Sequence, residues 1–302
     1  MAFRRTLKRP VGVTGIGLHS GKPVRLTLKP APAGHGLRFF RTDVGVEIPA
    51  SLAWLSRQDH ATTLSKDGVS VETVEHLLAA LFALGVDDAQ IEVSGPEIPI
   101  LDGSAAPFVI LIHEAGTRPH KEQREYLKIT KPVEVVRGSK LARLVPADRF
   151  EISYTIGFDH PLLRHQACTL RITSENFVEE LAPARTFGFL RDVEAMRQSG
   201  LARGGSLENA VVIGETGVLN GALRFEDEFV RHKAMDAVGD LALLGHPLLG
   251  RLEAVKAGHA LHAAVAQKLM ATPDAFELVS AKSLPGLGLE AAPAAALKPA
   301  RA

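Results

Sequence analysis

The hydrophobic periodicity of the chain changes twice from the alternation typical of strands to the spacing typical of helices. Sheets and amphipathic helices each bury one face, so this order predicts two α+β units, each a sheet covered by helices on one face. The predicted strands lie at 24–28, 37–40, 90–93, 126–136, 140–145 and 150–156. The predicted helices lie at 71–84, 106–115, 190–199, 226–244 and 258–271.

A polar segment separates the two units. The chain becomes polar and charged between Gly116 and Arg124, and apolar alternation resumes at Tyr126. We therefore predict a first domain over residues 1–120 and a second over residues 125–275. From residue 284 to residue 302 the chain is rich in alanine, proline and glycine and poor in large apolar groups, so we expect this tail to be disordered.

Composition excludes several classes of site. The chain has one cysteine, Cys168, which rules out an intramolecular disulfide framework and any zinc site built from several thiolates. A metal would therefore be bound by histidines and carboxylates. The 35 basic residues are balanced by 34 acidic ones, so we do not expect a nucleic-acid partner.

The chain shows no predicted targeting or membrane segment. Its basic N-terminus runs into a glycine-rich stretch and lacks the apolar core of a signal peptide. The longest apolar run, residues 77–86, is about half of the roughly 20 residues that cross a bilayer. We therefore expect a cytoplasmic protein without an integral membrane segment.

The most informative segment is the predicted helix between Arg224 and Gly245. His232, Asp236 and Asp240 recur every four residues, so they share one face, while apolar residues occupy the other. A polar stripe of this kind usually faces water. However, a histidine and an aspartate at i and i+4 also supply two metal ligands from one rigid element.

A catalytic zinc ion needs a third protein ligand from elsewhere in the chain. Glu75 and His76 begin an otherwise apolar predicted helix, where two ionisable groups are costly unless they have partners. The alternative is a solvated first turn, in which Glu75 complements the helix dipole. If His76 and His232 share a metal, the site lies between the two halves, and Glu75 could take a proton from bound water.

Other segments carry weaker signals from the residues alone. The glycine-rich stretch 12–24 fits neither a dinucleotide fingerprint nor a P-loop, and it is interpreted as a flexible turn. The segment 183–189 groups hydroxyl, cationic and aromatic side chains and could be a binding loop or a plain turn. His259 follows a glycine at a predicted helix start, where a single histidine is more often structural.

Six motifs follow one another along the chain. They read GVTGIGLHSGKPV (12–24), TVEHLLAAL (73–81), EIPILDGSAAPF (97–108), ARTFGF (184–189), RFEDEFVRHKAMDAVGDLALLG (224–245) and GHAL (258–261). Over roughly residues 3–275, the chain resembles the UDP-3-O-acyl-N-acetylglucosamine deacetylase family, the zinc amidases of lipid A biosynthesis. The resemblance implies two similar domains whose helices pack between two outer sheets, with the active site at their junction.

The resemblance also implies a role for individual residues. The implied zinc ligands are His76, His232 and Asp236. The implied catalytic residues are Glu75 as general base, His259 as the imidazolium that assists the leaving amine, Asp240 as the carboxylate that orients His259, and Thr186 as a hydroxyl near the oxyanion.

Substrate contacts are implied at four positions. Lys233 and Lys256 are expected near the phosphates of a UDP-linked sugar, and Phe158 and Phe187 are expected to bind the substrate. The segment 191–212 resembles the family's insert that forms an apolar passage for an acyl chain, with Leu201, Ala202 and Val211 as candidate walls. Ala61 stands where some members carry a cysteine that can bind an inhibitory metal.

The reaction implied is hydrolysis of the 2-acetamido group of a UDP-3-O-(3-hydroxyacyl)-N-acetylglucosamine, as the committed step of lipid A biosynthesis. We expect a monomer that uses one Zn²⁺ ion, for which Fe²⁺ is a possible substitute. Two alternatives remain open at this point. Two histidines and one carboxylate also describe the facial triad of a non-haem iron oxygenase, and the chain could be a non-catalytic nucleotide-sugar sensor.

Overall fold

The computed structural model describes residues 2–284 of the chain. The predicted disorder at 285–302 therefore lies outside the described residues. The helices are α1 (Glu75–Ala83), α2 (Ala106–Ala115), α3 (Ser174–Asn176), α4 (Leu190–Gln198), α5 (Glu228–Leu241) and α6 (His259–Met270). None of the helices in residues 2–284 combines the length and the hydropathy needed to cross a membrane.

Eighteen strands alternate with these helices in the described part of the chain. Those before residue 116 are β1 (Phe3–Leu7), β2 (Val11–Ile16), β3 (Pro23–Pro30), β4 (Leu37–Arg41), β5 (Val46–Pro49), β6 (Leu64–Lys66), β7 (Val69–Val71) and β8 (Ala89–Val93). Those after it are β9 (Thr117–Gln123), β10 (Glu125–Ile129), β11 (Val133–Arg137), β12 (Lys140–Val145), β13 (Phe150–Ile156), β14 (Gln166–Arg171), β15 (Phe187–Phe189), β16 (Val211–Ile213), β17 (Leu248–Val255) and β18 (Phe276–Ser280).

The first half forms a five-stranded sheet with the order β2-β3-β8-β4-β5. In β3, Val24, Leu26 and Leu28 are buried and the residues between them are more exposed, because successive side chains point to opposite faces of a strand. The buried face is covered by helices, with α2 packed against β2 and α1 against α2. One face of the sheet is therefore core and the other meets solvent.

The second half forms a seven-stranded sheet around β17. β17 pairs with β12, β13 and β10, and from Gly250 onward its alternate residues are buried. Helix α5 packs against β13 and β14, and α6 packs against β11 and β12. β18 pairs with β10, so this sheet continues to Ser280, beyond residue 275.

The two halves meet through their helices. α1 packs along α5, which gives the order sheet, helices, helices, sheet. Gly239 permits this contact, because a Cβ there would lie 2.0 Å from the carbonyl oxygen of Glu75. The structure confirms the predicted α+β class with helices between two outer sheets. The division into domains 1–120 and 125–275 stays a prediction.

Several predicted elements are confirmed and others need correction. The five predicted helices all form, with ends that differ by a few residues. The single strand predicted at 126–136 is two strands, β10 and β11, because the chain turns at Lys131 and Pro132. The polar boundary segment is strand β9, which pairs with β1 outside the two large sheets. The stretch 12–24, interpreted as a flexible turn, contains β2 and the beginning of β3.

Candidate metal centre and active site

Helix α1 presents two ionisable side chains at its first turn. Glu75 and His76 are 3% and 4% exposed, so the solvated alternative for this turn is wrong. Thr73, just before the helix, has φ +58, an outlier for a β-branched residue. Its hydroxyl donates to Glu97 Oε1 at 3.2 Å, which holds the chain at the point where α1 begins. Backbone strain of this kind is found at functional sites.

Helix α5 presents the second set of polar side chains. His232, Asp236 and Asp240 are all buried, so the interpretation of this stripe as solvent-facing is also wrong. They lie on one face because they are four residues apart, and this face is turned toward α1 by the close contact at Gly239.

His76, His232 and Asp236 converge across the helix contact. Asp236 Oδ1 lies 3.4 Å from His76 Nε2 and 3.4 Å from His232 Nε2. One ligand atom from each residue lies within 4.8 Å of the others. Asp236 Oδ1 is buried and has no hydrogen-bond partner among the described residues. Two imidazoles and one carboxylate, with an oxygen left unsatisfied between them, fit a divalent metal ion.

Neighbouring groups keep these side chains ready to bind a cation. His232 Nδ1 lies 3.1 Å from the Ala184 carbonyl oxygen, which can only accept a hydrogen bond, so Nε2 keeps its lone pair. Burial lowers the pKa of His232 to about 3, so this imidazole is neutral. Burial raises the pKa of Asp236, but the Lys233 ammonium, bonded to Oδ2, outweighs burial and helps to hold this pKa well below its usual range.

Glu75 lies beside this group and has a different environment. Its Oε2 accepts the Thr62 backbone N–H at 3.1 Å, and its Oε1 lies 4.0 Å from His259 Nε2. Burial raises the pKa of Glu75, and the neighbouring His259 and His76 oppose the rise. A carboxylate with a raised pKa is a better proton acceptor near neutral pH.

His259 is the first residue of α6, and Asp240 controls its charge. Burial lowers the pKa of His259, but the Asp240 carboxylate, 2.8 Å from Nδ1, outweighs burial, and the pKa is raised to about 9. Burial raises the pKa of Asp240, but His259 and His262 lower it below its ordinary value. His259 is therefore an imidazolium near neutral pH, with Nε2 turned toward Glu75 and Asp236.

His262 and Tyr154 are buried residues of this network to which the sequence analysis assigned no role. His262 Nδ1 bonds Asp240 Oδ2 at 2.8 Å, and His262 Nε2 lies 2.9 Å from the Tyr154 hydroxyl. The spacing of three residues between His259 and His262 puts both on one face of α6, and this was the available signal. Tyr154 carries no such signal, because its place depends on how the second sheet packs against α6.

A cavity of about 690 Å³ opens above His259 and Lys233. Phe187 and Phe158, two of the predicted substrate contacts, line it together with Thr186, and their roles stay predictions. The Thr186 backbone N–H donates to the Gly103 carbonyl at 2.8 Å, which holds this residue against the first half. Lys233 Nζ donates to Asp236 Oδ2 at 2.9 Å and therefore also touches the metal group. Lys256 is exposed and does not line this cavity.

The cavity has further walls that the sequence analysis did not select. They include two cations at the β11–β12 turn, Arg137 and Lys140, and His19 from the stretch 12–24. Glu97 fixes the His19 loop by accepting the backbone N–H groups of His19 and Ser20, both at 2.8 Å. The GVTGIGLHSG motif includes this loop, but nothing in the motif indicated that Glu97 holds the loop in place.

A second cavity of about 360 Å³ shares Leu18, Thr186 and Phe187 with the first and is mostly apolar. Its lining comes largely from the segment 191–212, and the acyl passage predicted for this segment stays a prediction. Of the three candidate walls, Ala202 lines it. Leu201 and Val211 do not line it: Val211 is buried on the other face of β16, and its neighbour Val212 takes that place.

Comparison with known proteins agrees with this geometry. Residues 4–271 match the model of the family described as UDP-3-O-acyl N-acetylglycosamine deacetylase. The chain is 51% identical over 291 residues to the UDP-3-O-acyl-N-acetylglucosamine deacetylase of Myxococcus xanthus (strain DK1622), covering 95% of this chain and 93% of the relative.

Two further relatives carry the same name. The protein of Anaeromyxobacter sp. (strain Fw109-5) is 52% identical over 277 residues, which is 91% of each chain. That of Pseudomonas entomophila (strain L48) is 49% identical over 284 residues, covering 92% of this chain and 94% of the relative. The chain belongs to the UDP-3-O-acyl-N-acetylglucosamine deacetylase family.

Proposed function

We propose that this protein hydrolyses the 2-acetamido group of UDP-3-O-(3-hydroxyacyl)-N-acetylglucosamine and releases acetate and the free sugar amine, as the committed step of lipid A biosynthesis. The observation that carries the proposal is the unpartnered Asp236 Oδ1, which faces two imidazole nitrogens with Glu75 and His259 close by. The names of the relatives support the substrate.

His76, His232 and Asp236 would hold one Zn²⁺ ion. When bound, such an ion polarises a carbonyl and lowers the pKa of a coordinated water to about 7. Fe²⁺ accepts the same donor set, so it is a possible substitute. Lys233, bonded to Asp236 Oδ2, keeps the carboxylate oriented with Oδ1 toward the imidazoles.

Glu75 and His259 share the proton transfers. Glu75 accepts a proton from the attacking water at Oε1, the oxygen that is not bonded to Thr62. His259 Nε2 donates a proton to the departing amine nitrogen as the C–N bond breaks. Water supplies the hydroxyl that completes acetic acid, which releases its proton to the solvent to give acetate, and the amine leaves neutral. The Thr186 hydroxyl, at the cavity wall, stabilises the oxyanion that develops on the acetamide oxygen.

The two cavities divide the substrate between them. The larger one would take the UDP group, with Phe158 and Phe187 against the uridine and the cations Lys233, Arg137 and Lys140 near the diphosphate. Lys256, exposed outside this cavity, would approach the phosphates only at its rim. The apolar cavity would take the acyl chain, because it offers few polar partners.

Metal analysis combined with an acetate-release assay tests this function. Purified protein should contain about one equivalent of zinc or iron and release acetate from the acylated UDP-sugar, and a chelator should abolish release until metal is restored. Oxygen-dependent turnover with a cosubstrate would instead indicate the iron oxygenase. Binding of the UDP-sugar without acetate release, persisting in His76→Ala, would indicate the sensor.

A further inference from the structure

Thr62 makes hydrogen bonds to both halves of the proposed site. It lies in the loop before β6, 1% exposed, and belongs to the first half of the chain. Its hydroxyl donates to Asp240 Oδ1 on α5, although the two residues are 178 positions apart. Its backbone N–H donates to Glu75 Oε2 at 3.1 Å. One residue therefore contacts the carboxylate of the proposed base and the carboxylate that orients the proposed acid.

The three donors around Asp240 fix the rotation of its carboxylate. Oδ2 lies 2.8 Å from His259 Nδ1 and 2.8 Å from His262 Nδ1, while Oδ1 receives the Thr62 hydroxyl. An ionised carboxylate can only accept, so the hydroxyl proton of Thr62 lies toward Asp240. Without this donor, Oδ1 would be buried without a partner, and the carboxylate could rotate away from His259.

Thr62 also touches His259 itself. Its Oγ1 lies 3.3 Å from His259 Nδ1, close to the shorter contact of that nitrogen with Asp240. Both neighbours can accept from Nδ1–H, which keeps the proton at Nδ1 and turns Nε2 toward Glu75. The ring of His259 is thus held on one side by two oxygens, one from each half of the chain.

We propose that Thr62 is a positioning residue, which holds Glu75 and His259 at a fixed separation across the junction of the two halves. The inference rests on the proposed function, because it assigns Thr62 a part in that reaction. The backbone N–H orients Glu75, and the hydroxyl orients His259 through Asp240. Only the contact with Asp240 depends on the Thr62 side chain. A substitution at this position can therefore remove the contact with Asp240 and leave the backbone hydrogen bond to Glu75 in place.

The test compares Thr62→Val with Thr62→Ser. Valine has nearly the same shape but no hydroxyl, whereas serine keeps the donor. We expect Thr62→Val to lower kcat by about 10²-fold, the scale of a small misplacement of reacting groups. KM and metal content should stay near those of the wild type, because Thr62 touches neither the cavity nor a metal ligand. Thr62→Ser should recover most of kcat.

Thr63→Val is the matched control, because Thr63 is also buried, adjacent in sequence and outside this network. Wild-type kcat in Thr62→Val, or a loss that serine does not recover, would overturn the proposal. Should the valine variant fail to fold by circular dichroism, Thr62→Ala and Thr62→Ser decide the question by the same kcat criterion.

A second readout does not depend on turnover. Proton NMR should show downfield Nδ1–H resonances for His259 and His262 in the wild type, and the His259 resonance should move or broaden in Thr62→Val but not in Thr63→Val. If the wild type released no acetate, the proposed function would be wrong. The NMR measurement would still test whether the Thr62 hydroxyl holds Asp240 and His259 in position. An unchanged resonance in Thr62→Val would contradict the positioning role.

Discussion

Two buried groups lie side by side at the junction, and each contains histidines and an aspartate within 4.8 Å of one another. In the group of His76, His232 and Asp236, one carboxylate oxygen has no hydrogen-bond partner in the described part of the chain. In the group of Asp240, His259 and His262, both carboxylate oxygens accept hydrogen bonds.

This difference assigns the two groups different chemistry. An unsatisfied oxygen between two imidazole nitrogens is costly unless a cation completes it. A carboxylate that already accepts from three donors has no such need, and it raises the pKa of His259 to about 9. Residue types and distances alone therefore do not identify a metal site. Whether the carboxylate oxygens already accept hydrogen bonds must also be known.

Loss of the metal is the largest effect expected to distinguish the two groups. We expect His232→Ala to lose both bound metal and acetate release, because only two of three ligands remain. His262→Ala should keep about one equivalent of metal per chain, as measured by elemental analysis of the purified proteins. Equal metal loss in the two variants would mean that the second group also binds the ion.

Glu75 is adjacent in sequence to His76 of the first group and lies 4.0 Å from His259 of the second. Its charge is expected to affect turnover alone. Glu75→Gln should lower kcat by about 10²–10⁴-fold, the range for one general acid–base group. Metal content should not change, because Glu75 is outside the ligand set. Metal analysis and steady-state kinetics on the same preparation check this, and a parallel loss of metal would make Glu75 a ligand.

The pH dependence of kcat/KM should be bell-shaped. Activity falls at low pH as Glu75 becomes protonated, and the raised pKa of Glu75 moves this limb above the usual glutamate range. Activity falls at high pH as His259 loses its proton, near pH 9. Asp240→Asn removes the charge that raises the pKa of His259, so its alkaline limb should move to lower pH. A profile that is flat from about pH 5 to 9 would contradict these assignments.

The smallest expected effect concerns the spacing of the helices. Gly239→Ala places a Cβ against the Glu75 carbonyl oxygen and should destabilise the fold by about 1–3 kcal/mol. The metal group takes a ligand from each helix, so its affinity should fall by about 10-fold. The contacts among His259, His262 and Asp240 lie within the second half and should persist. Urea unfolding, metal titration and imidazole NMR separate these effects.

Much of this arrangement could be predicted from residue spacing. The four-residue repeat of α5 placed His232, Asp236 and Asp240 on one face, and the cost of burying Glu75 and His76 indicated a shared site. The three proposed ligands do converge in the structure. The relative positions of residues within one helix do not depend on the rest of the chain, so these features can be predicted from the local sequence.

The missed features depend on packing between distant segments. Strand β17, at the centre of the second sheet, was not predicted, because Gly250 interrupts its run of large apolar residues. Glycine is required at this position because a Cβ would lie 2.5 Å from the side chain of Ile129. Strand β9 is polar because it pairs only with β1 and covers no large core. The hydrogen bond between Thr62 and Asp240 forms only when α1 and α5 pack together, so no local sequence pattern predicts it.

The pairing of β1 with β9 constrains the order of events during synthesis. β1 leaves the ribosome before its partner strand, Thr117–Gln123, which follows more than a hundred residues later. The sheet of β2 to β5 and β8 can assemble on the nascent chain while β1, which contacts Asp87 and Asp88, still lacks its partner strand. The pairing of β1 with β9 therefore forms only after residue 123 has been synthesised, which couples completion of the first half to the emergence of the second.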